Sequence, residues 1–132
     1  MPFYSFGGGG STTVDVLSTT AIADAKSTGT TNLYTVPAGS TAIITGAIVR
    51  CTEATSITVE ATVGIGVATG EDDIIASQAL TGLTSTSDVF HLTNSGGLLQ
   101  AAAAAAVIKL GVDTGATGTS QALAVDLLGY LV

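Results

Sequence analysis

A chain of 132 residues falls within the size range of one domain and buries roughly two-thirds of the surface it exposes when unfolded, so a single compact core is expected. Lys26, Arg50 and Lys109 are the only basic side chains against ten acidic ones, a net charge of -7, and three scattered cations cannot neutralise the phosphates of a nucleic acid, which excludes that partner. Charged residues are 10% of the chain, where a soluble domain carries about 25%.

With a mean hydropathy of +0.60, such a surface must be covered by Thr, Ser, Ala and Gly. It is weakly hydrated and suits a protein rich in interfaces. Cys51 is the single cysteine, so no internal disulfide forms, and no Cys/His cluster has the spacing of a zinc site. A small apolar side chain buried in a strand is the reading for it. No signal-peptide pattern opens the sequence, which predicts synthesis in a cytoplasm without export. The apolar stretch 98–110 is interrupted by Gln100 and Lys109 and is shorter than the about 20 residues of a transmembrane helix, so no membrane span is expected.

Residues 1–11 stand apart as an irregular arm: Phe3, Tyr4 and Phe6 follow a proline and precede four glycines and a serine. The three aromatics are half of those in the chain. They are expected to dock on a neighbouring subunit or to fold back on their own core, because aromatic rings bury the most area.

From residue 12 to 132 one domain is expected, and its dominant period is two, the mark of half-buried strands. Candidate strands run over 13–17, 32–36, 41–51, 56–67, 74–79, 88–93, 105–112 and 121–132. In 56–67 the residues Ile57, Val59, Ala61, Val63, Ile65 and Val67 share one face. In 121–132, Leu123, Val125, Leu127 and Leu131 share one face, and the other carries Ala122, Ala124, Asp126, Leu128 and Tyr130. A strand apolar on both sides points to a sheet that meets another molecule, with Leu128 and Tyr130 as contact candidates.

Turn-forming segments at 37–40, 94–97 and 113–118 separate the strands. About eight strands and no internal repeat predict an all-β, antiparallel, jelly-roll-like sandwich. The six alanines at 101–106 have the highest helix propensity, yet Gly97 and the β-branched Val107 and Ile108 bound them. The run is therefore either a short helix or a loop leading into a packed strand.

Nothing in the sequence assembles a catalytic site or a cofactor site. His91 lies in a strand-like stretch without a partnered Ser or Cys and reads as structural. Gly64, Gly66 and Gly70 have the spacing G-x-G-x-x-x-G with no basic residue after them, so they read as points of close backbone approach or a bulge at a strand end. Glu71, Asp72 and Asp73 form the one dense acidic cluster. Calcium is a candidate ligand for it, and a solvated loop or a contact for a basic neighbour is the alternative. Asp15, Glu53, Glu60 and Asp126 would need to converge to act as a glycosidase pair, in a chain with no Trp and only three Tyr to form a sugar platform.

The run Leu33-Tyr34-Thr35-Val36-Pro37-Ala38-Gly39-Ser40-Thr41-Ala42 resembles a hairpin found in many virion proteins of tailed bacteriophages. The closing segment 124–132 resembles the last strand of small capsid-associated β-sandwiches. What the resemblance implies is a capsid decoration or cement protein: a non-enzymatic homo-oligomer, commonly a trimer, that binds the major capsid protein on the outside of the virion shell and reinforces it. The first motif also occurs in tail, collar and fibre proteins, so these remain alternatives. A major coat protein and, from another class, a carbohydrate-binding module are the others.

Overall fold

The computed structural model describes residues 13–68, 71–94 and 99–132. The arm 1–11 with Phe3, Tyr4 and Phe6, and most of the 94–97 turn, lie outside the described residues.

Among the described residues the chain forms nine strands and no helix. They are β1 Asp15–Ile22, β2 Gly29–Thr35, β3 Ala42–Thr55, β4 Thr62–Gly66, β5 Ile75–Ala79, β6 Val89–Leu92, β7 Gln100–Ala102, β8 Val107–Thr114 and β9 Ser120–Leu131. One sheet has the order β1-β9-β3-β6, with the short β7 beside β6 on the same edge of β3; the other has the order β2-β8-β4-β5. All pairs are antiparallel and they nest: β1 with β9, β2 with β8, β3 with β6, β4 with β5. The β3–β9 and β4–β8 pairs then complete the two sheets.

Alternation drives this arrangement. In β3 and β9 the inward set is Ala42, Ile44, Ala47, Val49, Cys51, Leu123, Val125 and Leu127, all buried. Val63, Ile65, Ile108 and Leu110 meet them from the second sheet as part of one core. Burying each large aliphatic side chain contributes about 1.5–3 kcal/mol, and the close-packed layer they form spaces the sheets. The core is aliphatic, with Tyr34 and Phe90 packed only at its margin.

The connections that cross between sheets hydrogen-bond to one another. At one end Ala25, between β1 and β2, donates to Gln121 and accepts from Ala116, while Val59 and Thr117 pair across the other two crossovers. At the opposite end Val36 pairs with Ala105 and Ala106, and Thr41 pairs with Val132. These pairs satisfy backbone groups that would otherwise be buried without partners at the ends of the sandwich.

Two expectations are corrected. The 56–67 stretch is not one strand. β3 runs on to Thr55, the chain bends at Ser56 with φ 54°, and β4 begins only at Thr62. The segment between crosses from one sheet to the other while its sequence keeps the alternation of a strand, so the periodicity did not reveal the change of sheet. Val59 and Val67 are consequently exposed. Second, the segment containing Val36 to Thr41 is not a hairpin, because β2 and β3 lie in different sheets. It is a crossover whose tight turn, closed by Ser40 N–H donating to the Pro37 carbonyl at 3.2 Å, needs Gly39 at φ 80°. Apolar residues on both sides of that turn face the same core from two sheets.

Of the two readings of the alanine run, the structure shows the loop leading into a strand and no helix. Ala101 and Ala102 end β7, and Ala103 to Ala106 form a turn in which Ala105 takes φ 65°. Strand pairing of Ala102 with Ala42 and of Val36 with the turn overrides the intrinsic propensity, as tertiary contacts commonly do for so short a run.

Ala105→Gly should raise the free energy of unfolding by about 0.5–1 kcal/mol, since an L-residue in the left-handed region is strained there and glycine is not; denaturant melts of both proteins measure it. Gln121, the one buried polar residue among those described, donates its side-chain N–H to the Leu83 carbonyl at 2.7 Å and so ties the β5–β6 loop to β9. Gln121→Ala should cost about 1–3 kcal/mol by leaving that carbonyl unsatisfied, read by the same melts.

Candidate functional site

The two outer faces differ sharply in chemistry. On the sheet containing β2, β8, β4 and β5, two outward rows are polar or glycine: Asn32 beside Lys109 beside Gly66, and Thr30 beside Gly111 beside Gly64. The acidic loop folds back over this face. A side chain at Gly64 would meet the Glu71 carbonyl oxygen at 2.8 Å, and one at Gly66 would overlap the Asp73 carboxylate. The glycines at 64 and 66 are therefore points of close approach, with a register shift between Val63 and Ile65.

Asp73 Oδ1 accepts from the backbone N–H groups of Val67 at 2.8 Å and Ala68 at 3.2 Å. Asp113, on β8, accepts a hydrogen bond from Ser77. The cluster Glu71, Asp72, Asp73 thus spends one carboxylate closing its own loop, and among the described residues no group of three or more His, Cys, Asp or Glu side chains is arranged to hold a metal ion.

The outer face of the other sheet is a grid of cross-strand neighbours. One row reads His91, Ile48, Asp126, Thr19 across β6, β3, β9 and β1; the next reads Val89, Arg50, Ala124, Ala21. Asp126 is the hub of the first row. Arg50 reaches it diagonally with a two-point fork, Nε to Oδ2 at 3.2 Å and Nη2 to Oδ1 at 3.1 Å, and Thr19 Oγ1 donates to Oδ1 at 2.8 Å. Partial burial pulls the Asp126 carboxyl upward, but the hydrogen bonds from Arg50 and Thr19 and the Arg50 charge outweigh it and hold the group below the usual carboxylate range.

Beyond that row the grid turns apolar. Val16, Leu128 and Gly46 lie side by side across β1, β9 and β3, and Tyr130, Ile43 and Ala101 form the row after it. Val16 is 55% exposed, while Ile43, Leu128 and Tyr130 are half-buried on an outer face that no described element covers. The sequence-derived candidates Leu128 and Tyr130 are thereby brought together, two residues apart on β9. Their partners from β1 and β3 were not foreseen, because no local pattern tells which strands will flank β9.

The remaining candidates are dispersed. His91 is exposed with its imidazole over Gly46. Cys51 is buried, donates to the Glu53 carbonyl, and its thiol is pushed up chiefly by desolvation, so it stays protonated and unreactive. Asp15, Glu53, Glu60 and Asp126 do not converge: Glu60 accepts from Gly82 N–H at 2.8 Å, and Asp126 is engaged as above. The three basic residues sit on different surfaces, with Arg50 on one outer face, Lys109 on the other and Lys26 at a crossover donating to the Thr119 carbonyl.

Asp24, Glu60, Asp88 and Asp126 are all held below their ordinary values; for the first three the leading cause is a hydrogen bond received, from Ser27, Gly82 and Thr84 respectively. A depressed carboxyl stabilises the fold above its unfolded pKa of about 4 and loses that contribution as the pH falls through its lower folded value. Thermal melts should therefore hold steady from pH 7 to 5 and fall below pH 4. Asp126→Asn should cost under about 1 kcal/mol at pH 7, as expected of a partly exposed pair, and should flatten the acid limb of the same melts.

No protein-family model and no curated protein sequence matches the chain. Comparison with solved structures shows that it shares its fold with a chain of the cyanophage Pam1 capsid asymmetric unit, at a TM-score of 0.59 and 18% identity, covering 100% of this chain and 91% of that one. It is similar in the same way to a chain of the acid-stable capsid structure of Helicobacter pylori bacteriophage KHP30, at a TM-score of 0.61 and 12% identity, covering 93% and 94%. The two-sheet fold of this chain is thus one that recurs, at nearly full length, in chains of phage capsids.

Proposed function

We propose that the chain is a structural, non-enzymatic component of a bacteriophage capsid: a decoration or cement protein that binds the outside of the shell as a homo-oligomer, contacts the major capsid protein and stabilises the head. The observation that carries the reading is the near full-length fold likeness to chains of two phage capsids, on a backbone of the same size. The nested strand pairing supports the jelly-roll form of the sandwich, in which a long antiparallel ribbon rolls into two facing sheets. Composition supports the rest, since a chain with 10% charged residues and an apolar outer quarter suits permanent contact better than life as a free monomer.

The mechanism is mass action. A subunit that binds the assembled shell and not its dissociated parts stabilises it by RT ln(1 + [L]/Kd), and several weak contacts per oligomer add through effective concentration. No bond is made or broken. In this reading the protein is synthesised in the host cytoplasm and resides on the capsid surface.

Quantitative mass spectrometry of purified virions should find the chain at a small integer ratio to the major capsid protein, and particles lacking it should disassemble at lower temperature or lower shear. A few copies per particle would move the assignment to tail, collar or fibre, and absence from the particle would end it.

A further inference from the structure

We draw no further inference here: the strongest candidate, the apolar quarter of the outer sheet face formed by Val16, Ile43, Leu128 and Tyr130, carries nothing because nothing in the structure shows what covers it.

Discussion

Everything in this molecule depends on holding two sheets face to face through a thin layer of aliphatic side chains while the chain passes repeatedly between them. The inner faces supply Ile, Leu, Val and Ala, with no aromatic ring at the centre, so the layer has little slack and each backbone must keep its register. Crossing between sheets breaks ladder hydrogen bonds at both ends of the sandwich. The chain restores them by pairing one crossover with another, Ala25 with residues 116 and 121, Val59 with Thr117, and Val36 with 105 and 106.

The few charges are used mainly to close loops. Asp24 accepts from Lys26 N–H and Ser27, Asp73 from two successive amides, Asp88 from Thr84 and Ser85, and Glu60 from Gly82. Arg50 and Asp126 neutralise each other on the outer face. Such exposed contacts contribute modestly to stability, but they leave broad surfaces without net charge. Uncharged threonine and alanine surfaces cost little to desolvate when they meet a neighbour.

The asymmetry between the outer faces follows from the same architecture. On the sheet holding β4, the 71–73 loop covers the outer side of β4, where Gly64 and Gly66 admit it. Among the described residues the sheet holding β9 has no such cover, and the alternate residues of its central strands, β3 and β9, end in Ile43, Leu128 and Tyr130. Among the described residues, one face is therefore partly covered by a loop of the chain and the other is not.

Period-two alternation made β9 and the interior half of β3 legible from sequence, because burial on one side of a strand is written directly into its residues. The glycine pair at 64 and 66 was likewise readable as a place of close approach, though not what would approach it. Alternation says nothing about which sheet a strand joins, so 56–67 read as one strand, the stretch around Pro37 read as a hairpin, and β7 was hidden among alanines whose local preference is helical. The all-β class, the aliphatic core positions and the scarcity of charge were thus properties of the sequence itself. The pairing order, the crossovers and the meeting of Val16, Ile43, Leu128 and Tyr130 on one surface were decided only in three dimensions, because they depend on contacts between residues up to about a hundred positions apart, whose closure no local pattern encodes.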